Sequence, residues 1–520
     1  MSLDRGRNIF DGLLERESYW QRSFARATST SDTFIQVTSP FGDQLYSLET
    51  STPVDVETAA EVARQAQKAW AGATLRSRAK VILRFHDLVL RNRDEILDLI
   101  QWETGKPRRD ANEELLDVAL VCRYYARHLG ALKERRHMGA FPGLIGAIER
   151  HVPLGVVGII SPWNYPLTLA VSDAIPALLA GNGVVLKPDP LTSLTALYIS
   201  DLLIQAGLPE GLFGIVIGDG IDLGTPLINC VDFLMFTGST KVGRIVAAQC
   251  GERLIGVALE LGGKNAMIIR ADADVPKAAE IATRACFGNT GQLCISIERL
   301  YVHESIHDEF LAEFVRLTNA MTAGTSIGWG SDYGPLITPT HAKNVLAFIS
   351  DATANGAVIA AGGVLTGEAT LAPTILTGVS ENMRVCREET FGPVVAVQPY
   401  ATDEQAIALA NDSEYGLNSS VLSRNTKAAV VIARQLHAGT VNINEGYAPA
   451  WSTLSSPMGG FGASGLGRRH GIEGILQYTE GQTIATQRAL GFGPPFGMSD
   501  RSWGEMLTRS LGIMKKIGWR

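Results

Sequence analysis

The chain has 520 residues, roughly three to four times the length of an ordinary domain, and we expect it to form two or more hydrophobic cores. Its 46% apolar and 19% charged residues, with 54 Gly and 22 Pro, are typical of a globular protein and exclude a disordered or collagen-like chain. The formal charge of −7 excludes a general basic surface for nucleic acid or anionic lipid, and it favours small-molecule chemistry.

The six cysteines do not form a disulfide framework in a chain of this length, and none belongs to a C-x-x-C pair. The N-terminal segment is charged throughout, and no run of about 18 apolar residues occurs anywhere. We therefore expect a cytoplasmic protein without a membrane span. No His/Cys group has the spacing of metal ligands, so no metal is implied.

The first predicted elements form a helical layer from Ala59 to about Lys133. From Leu154 onward, short apolar runs alternate with helical segments, and a second such unit runs from about Asn265 to Ser456. The first unit has predicted strands at 154–160, 184–186, 213–217 and 231–236, and predicted helices that reach 180 and span 191–206 and 240–250. The alternation predicts two doubly wound, Rossmann-like α/β domains, whose ligands bind beyond the carboxyl ends of the strands.

One G-x-G-x-x-G pattern, the spacing of a dinucleotide-binding turn, occurs from Gly460 to Gly465. Ser456, Pro457 and Met458 precede it where a strand is required, and no β-α-β unit surrounds it. We interpret the pattern as a tightly turned loop, so any nucleotide must be held elsewhere.

Three residues are candidates for catalysis. Glu260 begins a Glu-Leu-Gly-Gly-Lys run, whose paired glycines let the backbone approach a ligand closely. Cys294 stands in a glycine-containing turn between a predicted helix and a predicted strand, and Asn164 follows a predicted strand end. Each residue type alone is commonly structural. The combination of a nucleophile, a carboxylate and an amide favours a catalytic site.

Seven motifs, in their order and near their spacing, resemble those of the aldehyde dehydrogenase superfamily. They are 162–166, Lys187-Pro188, 236–240, 260–264, 291–294, 389–393 and 464–467. The resemblance covers about residues 35 to 485. Within the family, the segment around Cys294 and the run from Arg468 to Gly471 resemble bacterial succinate-semialdehyde dehydrogenases of the second, NADP-linked type.

The resemblance implies that Cys294 Sγ attacks an aldehyde carbonyl to form a thiohemiacetal, which passes hydride to a nicotinamide and leaves a thioester. The Asn164 side-chain amide and the Cys294 backbone N–H are the expected donors to the developing oxyanion. Glu260 is the expected base for the thiol and for the water that hydrolyses the thioester. Members that transfer the acyl group to coenzyme A or phosphate generally lack this glutamate, so a free carboxylic acid is the expected product.

The family also implies a site for NADP or NAD. The expected contacts are Trp163 and Asn164 beside the nicotinamide, Lys187 at the adenine ribose, Gly238 and Ser239 at the pyrophosphate, Glu389 and Phe391 at the nicotinamide ribose, and Pro188, Asp189, Pro190 and Leu261 around them. NAD-specific members commonly carry Glu where Pro190 stands, and that carboxylate repels a 2′-phosphate. Its absence favours NADP, although Asp189 places a negative charge one position earlier.

Two substrate classes stay open. Succinic semialdehyde carries a carboxylate, and the natural binding partner of a carboxylate is Arg or Lys. The position that is often basic in relatives is occupied by Asp173 in this chain, which argues against this substrate. The alternative partners are Arg123, Arg468 and Arg299, the last of which we expect to be structural. An apolar or aromatic aldehyde is the second class, with Trp102, Tyr125, Tyr165 and Trp451 as possible tunnel linings. His151 and His470 receive no role.

The family fold implies three lobes and a tail. The predicted bounds are 1–133 and 154–262 for the dinucleotide-binding domain, 263–456 for the catalytic domain, 134–153 and 477–489 for an oligomerisation arm, and 490–520 for the tail. A homodimer or homotetramer is expected. Apolar residues of the tail recur at helical spacing from Trp503 to Ile517, and we interpret this segment as a helix packed on its own subunit.

A remote alternative to an enzyme is an inactive relative with a structural or ligand-binding role. We disfavour this alternative because the three catalytic candidates are present.

Overall fold

The structure is a computed structural model, and it describes residues 23–139, 145–324, 327–488 and 493–518. The first 22 residues of the predicted dinucleotide-binding domain, and parts of the predicted arm and tail, lie outside these ranges. Within them, no helix combines the length and the apolar character needed to cross a bilayer.

The N-terminal part contains a β-hairpin, four helices and two strands of a separate sheet. In chain order these are β1 (Phe34–Thr38), β2 (Gln44–Glu49), α1 (Pro53–Gly72), α2 (Leu75–Arg91), α3 (Arg93–Thr104), α4 (Arg108–Arg127), β3 (Arg135–Met138) and β4 (Ile145–Pro153). Thr52 and Asp55 form a capping box at the start of α1, and Thr74 caps α2. The predicted helical layer is confirmed.

The first α/β unit is a parallel sheet with helices between its strands. Its elements are β5 (Val156–Ile160), α5 (Pro166–Val171), α6 (Ala174–Ala180), β6 (Gly183–Lys187), α7 (Ser193–Gln205), β7 (Phe213–Ile215), α8 (Gly220–Cys230), β8 (Phe233–Thr237), α9 (Thr240–Glu252) and β9 (Gly256–Glu260). The strand order is β9-β8-β5-β6-β7. Since β5 lies between β6 and β8, the loops that follow β5 and β8 lie side by side at a topological switch point.

One helical prediction in this unit needs correction. The segment expected to reach Ala180 as one helix is broken between α5 and α6, at Ser172 and Asp173. Pro176 lies in the first turn of α6, and in a continuous helix its ring would clash with the carbonyl of Ser172. The break leaves Asp173 buried, with 3% of its surface exposed.

The second α/β unit contains a seven-stranded sheet and one two-residue strand, at 415–416, that lies outside this sheet. Its elements are β10 (Asn265–Ile269), α10 (Val275–Phe287), β11 (Ile297–His303), α11 (His307–Asn319), α12 (Pro339–Ala354), β12 (Val358–Ala361), β13 (Thr374–Thr377), α13 (Arg384–Arg387), β14 (Val394–Tyr400), α14 (Asp403–Asn411), β15 (Tyr415–Gly416), β16 (Asn418–Leu422), α15 (Thr426–Ala433), β17 (Thr440–Ile443) and α16 (Ala448–Ser452). The order is β12-β13-β14-β11-β10-β16-β17, and β12 alone among them pairs antiparallel. The prediction of two doubly wound α/β units is confirmed.

The last elements return to the first sheet and then leave it. They are β18 (Phe461–Gly462), β19 (Gly465–Leu466), α17 (Glu473–Leu476), β20 (Thr479–Gln487) and α18 (Asp500–Lys516). The G-x-G-x-x-G run thus turns between two short strands, and β19 pairs antiparallel with β9. A Cβ on Gly465 would lie 2.0 Å from the Leu259 carbonyl oxygen, so these glycines serve backbone packing.

The predicted arm forms a three-stranded antiparallel sheet of order β20-β4-β3. Glu149 pairs with Thr483 in the register of β4 and β20, and β20 is exposed along almost its whole length. The arm is therefore part of the fold, while the exact domain bounds and the oligomeric state stay predictions.

The predicted tail helix is present as α18, but its packing differs from the expectation. Trp503 is buried, whereas Leu511 and Ile517 are 52% and 66% exposed. Leu507 and Met514 are half-buried, so the described part of its own subunit covers only part of the apolar face.

Candidate active site

The candidate residues meet at the carboxyl edge of the first sheet. Asn164 follows β5, Lys187 ends β6 and Glu260 ends β9. Cys294 comes from the second unit, in the loop before β11. Asn164 and Cys294 line one cavity between the two units. The structure therefore brings together residues that lie more than a hundred positions apart in sequence.

Asn164 is held at both its side chain and its backbone. Its Nδ2 donates to the Gln292 carbonyl at 3.0 Å, and its own carbonyl accepts from Asn289 Nδ2 at 3.2 Å. Lys106 Nζ also donates to that carbonyl. Only 4% of the Asn164 surface is exposed. The side-chain amide is thus fixed beside the loop that carries Cys294, as an oxyanion donor requires.

Lys106 is a site residue that the sequence analysis missed. Its buried ammonium pairs with Glu114 at 2.7 Å and lies 3.9 Å from the centre of the Tyr165 ring. Glu114 Oε2 accepts the Leu167 and Thr168 N–H groups at the start of α5. The pair therefore fixes the segment that presents Asn164. Its only sequence signal is a Gly-Lys-Pro run just after α3.

The Cys294 loop is shaped by left-handed backbone and by glycine. Asn289 and Thr290 have φ values of 50° and 56°, uncommon for residues with a Cβ. The Cys294 carbonyl accepts from Asn265 Nδ2 at 2.8 Å, and a Cβ on Gly263 would lie 2.7 Å from that oxygen. The second glycine of the Glu-Leu-Gly-Gly-Lys run therefore permits this close approach.

Cys294 is mainly a thiol at neutral pH. Burial raises its pKa to about 12, and the negative charges of Glu389 and Glu260 add to the rise, while Arg469 opposes it. An attacking thiolate therefore needs a base or a change in these surroundings.

Glu260 has the properties of such a base. Burial raises its pKa to about 7, Arg469 lowers it and Asp173 raises it further. A Cβ on Gly459 would lie 3.2 Å from Glu260 Oε1, so glycine leaves room beside the carboxylate. A carboxyl group that titrates near neutrality can both take up and release a proton.

Arg469 is the second site residue that the sequence analysis missed. It is the one Lys or Arg among the described residues that line the Cys294 cavity. Its Nη2 binds Asp173 at 2.5 Å and Thr237 Oγ1 at 2.9 Å. Asp173 therefore does not face the site as a lone negative charge. The sequence signal was the doubled arginine at 468 and 469.

The other proposed partners for a carboxylate do not line this cavity. Arg123 is exposed on α4. Arg299 is buried and donates to the carbonyls of Lys264, Leu409 and Ala410, which agrees with a structural role. Arg468 donates to the carbonyls of Gly460 and Gly467.

Three of the four aromatic residues proposed as tunnel linings do line the cavity, namely Tyr125, Tyr165 and Trp451. Trp102 is not among the lining residues. Trp451 Nε1 donates to Asp117 at 2.5 Å, so its orientation is set by a buried carboxylate. The cavity thus combines aromatic walls with an ion pair.

The predicted cofactor residues near the first sheet fit a dinucleotide. Ser239 caps α9, whose N-terminal N–H groups suit a phosphate. Gly238 precedes it, and Leu261 packs against Gly243 on the same helix. Lys187 Nζ is buried at the end of β6 and donates to the carbonyls of Pro188 and Gly218.

The predicted nicotinamide-side residues form a second group. Glu389 Oε1 accepts the Gly263 N–H at 2.9 Å, and burial beside Glu298 raises the Glu389 pKa to about 8. The Trp163 and Phe391 rings are 5.6 Å apart, edge to face. His341, which the sequence analysis did not single out, bonds the Phe391 carbonyl through Nε2 at 2.8 Å.

The two residues that bear on cofactor choice lie just beyond β6. Asp189 Oδ1 accepts the Leu191 N–H at 3.0 Å, and Pro190 begins the short turn that follows. The carboxylate expected of NAD-specific members is thus absent at 190, and Asp189 is engaged in capping.

The parallel α/β fold places a thiol, an amide and a carboxylate near residues that suit a dinucleotide, and this arrangement fits a cysteine-dependent oxidoreductase. The sequence model of the aldehyde dehydrogenase family matches residues 26–484. The chain therefore belongs to this family and is an NAD(P)-dependent aldehyde dehydrogenase.

Relatives match over nearly the whole chain. A protein of Mycolicibacterium smegmatis, provisionally named as an NADP(+) succinate-semialdehyde dehydrogenase, is 48% identical over 483 residues, or 92% of this chain and 93% of that protein. A protein of Mycobacterium ulcerans with the same provisional activity in its name is 47% identical over 95% of this chain and 96% of its own. A crystal structure of an NAD-dependent aldehyde dehydrogenase from Sinorhizobium meliloti matches with a TM-score of 0.86 at 33% identity, covering 91% of this chain and 94% of that chain.

Proposed function

We propose that the chain oxidises succinic semialdehyde to succinate with NADP, through a thioester on Cys294. The observation that carries the chemistry is the shared cavity of Cys294 and Asn164, with the charge of Glu260 acting on the thiol. The substrate and the cofactor are supported by the names of relatives that are 48% and 47% identical over 92% and 95% of this chain.

In the proposed reaction, Glu260 accepts the Cys294 proton and Sγ bonds to the aldehyde carbon. Negative charge grows on the former carbonyl oxygen, and Asn164 Nδ2 with the Cys294 backbone N–H stabilises it. Loss of one such donor costs about 10²–10³ in kcat. When bound, the nicotinamide takes up the two electrons and the hydrogen that the aldehyde carbon loses.

Glu260 then activates water to release the acid. Once Glu260 has released the Cys294 proton to solvent, its carboxylate takes a proton from the water that attacks the thioester carbon. The C–S bond then breaks, and the Cys294 thiolate that leaves is reprotonated from solvent. A carboxyl group with a pKa near 7 can return this proton to solvent between turnovers.

We propose NADP over NAD because position 190 is proline. The residues that would hold the dinucleotide are Ser239 at the start of α9 and Lys187 at the end of β6, together with Glu389 and Phe391 on the nicotinamide side. A 2′-phosphate meets no carboxylate at 190.

We further propose a homodimer or homotetramer joined through the exposed strand β20, because an unpaired strand edge readily pairs with another chain. We propose a cytoplasmic location because all six cysteines, each within the described ranges, are unpaired.

The test is a set of initial rates of nicotinamide reduction with succinic semialdehyde, benzaldehyde and hexanal, each with NADP and with NAD. The proposal expects the highest kcat/KM for the semialdehyde with NADP. An apolar or aromatic aldehyde is the second candidate, because Tyr125, Tyr165 and Trp451 line the cavity. Preference for benzaldehyde or hexanal would favour that candidate and contradict the first.

A further inference from the structure

We infer that Arg469, held by Asp173, binds the carboxylate of the substrate and so selects succinic semialdehyde. The inference rests on the proposed function and names its specificity-determining residue. Arg469 is the one Lys or Arg among the described residues that line the Cys294 cavity.

The guanidinium of Arg469 is only partly used by the protein. Nη2 binds both Asp173 and Thr237, but Nε is buried and has no hydrogen-bond partner among the described residues. A buried, unpaired N–H of a charged group is costly unless a ligand accepts from it. A substrate carboxylate supplies such an acceptor, and charge-assisted bonds of this kind are short and strong.

Two neighbours add unpartnered polar atoms to the same cavity. Tyr165 Oη and His470 Nδ1 are buried without a partner among the described residues, and both side chains line the cavity. Burial lowers the His470 pKa to about 4, so this imidazole is neutral at pH 7. The cavity therefore offers several polar groups to a ligand, whereas an apolar aldehyde tail would leave them unsatisfied.

The two carboxylates that line the cavity already have protein partners. Asp173 is paired with Arg469, and Asp117 accepts from Trp451 Nε1 at 2.5 Å and from Ser172 Oγ at 2.6 Å. Asp173 therefore acts as a positioning residue, which holds the guanidinium by one nitrogen and leaves Nε to the substrate.

The ion pair also resolves the conflict in the sequence. In the sequence alone, aspartate at 173 argues against an anionic substrate, because this position is often basic in relatives. In the structure the positive charge comes from residue 469 instead, and Asp173 holds it in place.

The main test compares succinic semialdehyde with butanal, which has the same length and a methyl group in place of the carboxylate. Because Arg469→Gln alone leaves Asp173 buried and unpaired, the key variant is the double change Asp173→Asn/Arg469→Gln. We expect the ratio of kcat/KM for the two aldehydes to fall by about 10- to 100-fold, mainly through the KM of the semialdehyde. Arg468→Gln removes the same charge from the adjacent residue, outside the cavity, and should keep the ratio.

An equal loss with both aldehydes would overturn the inference, since Arg469 would then act through Glu260 or through the fold. A wild-type preference for the semialdehyde that survives in the double variant would also overturn it, while leaving the proposed function standing.

A binding test separates the inference from the proposed function. Succinate and butanoate are compared as inhibitors of butanal oxidation, because they differ only in the distal carboxylate. We expect stronger inhibition by succinate in the wild type and no such advantage in the double variant. If wild type fails to prefer the semialdehyde but shows this pattern, the proposed function is wrong and anion binding by Arg469 holds. Equal inhibition by the two acids in wild type contradicts the inference.

Discussion

At the residue scale, the proposed mechanism depends on a carboxyl group whose pKa lies in the physiological range. Burial lifts the pKa of Glu260 to about 7, so the carboxylate form, which can accept a proton, dominates only above that pH. The Cys294 thiol, with a pKa of about 12, does not titrate in the same range.

We therefore predict that the steady-state rate rises with pH through about 7 and then levels off. Glu260→Gln should lower kcat by about 10²–10⁴-fold, the usual contribution of a general base, and should abolish that rise. The measurement is kcat against pH for both proteins. Undiminished activity well below pH 7 in the wild type would contradict the assignment.

A second prediction concerns the buried pair of Lys106 and Glu114. Lys106→Met should lower the free energy of unfolding by about 3–5 kcal/mol, because it leaves the Glu114 carboxylate buried without its partner. It should also lower kcat, since the carbonyl of Asn164 loses a donor.

The matched control is Lys106→Met/Glu114→Gln, which removes both charges and should recover much of the stability in denaturant unfolding. The kcat should stay low in this double variant. Full recovery of kcat would show that Lys106 does not position Asn164.

At the element scale, the strands were the most predictable part of the fold. The strands β5, β6 and β8 are buried on both faces, and their continuous apolar runs indicated this directly. The break between α5 and α6 was missed, although Pro176 carried the signal.

The predicted site residues followed from motifs, but their partners did not. Asp173 and Arg469 are 296 positions apart, and Lys106 and Asn164 are 58 apart. No local pattern encodes such contacts, because they arise only when the N-terminal helices and the returning C-terminal segment pack against the first α/β unit. For the same reason the sequence could not show that Asp173 is neutralised.

A prediction at this scale concerns the turn after β6. Pro190→Glu places a carboxylate where NAD-specific members have one, and it should lower the ratio of kcat/KM for NADP over NAD by about 10- to 100-fold through repulsion of the 2′-phosphate. Pro190→Gln is the neutral control of similar size and should change the ratio much less. An equal change in both variants would assign the effect to the loss of proline.

At the scale of the whole molecule, the arm sheet leaves β20 exposed at its edge. Ile484 is 45% exposed on that strand, opposite Ile148 on β4. An exposed strand with apolar side chains is suited to pairing between subunits.

We predict that the wild type has the mass of a dimer or a tetramer by light scattering. Ile484→Lys should shift the measured mass toward that of smaller assemblies. Successive side chains of a strand point to opposite faces, so Thr483→Lys tests the other face with the same charge. A monomeric wild type would contradict the proposed assembly.

The central claim is that Cys294 carries the acyl group of succinic semialdehyde until Glu260 activates water to release it. The most direct measurement is the intact mass of the Glu260→Gln protein after mixing with succinic semialdehyde and NADP, followed by peptide mapping. The account predicts that a succinyl thioester forms on Cys294 more slowly than in the wild type, because the thiol has lost its base. The thioester then persists, because no carboxylate activates water, and NADP reduction slows after about one equivalent per active site. An unmodified Cys294 in a variant that turns over as fast as the wild type would contradict it.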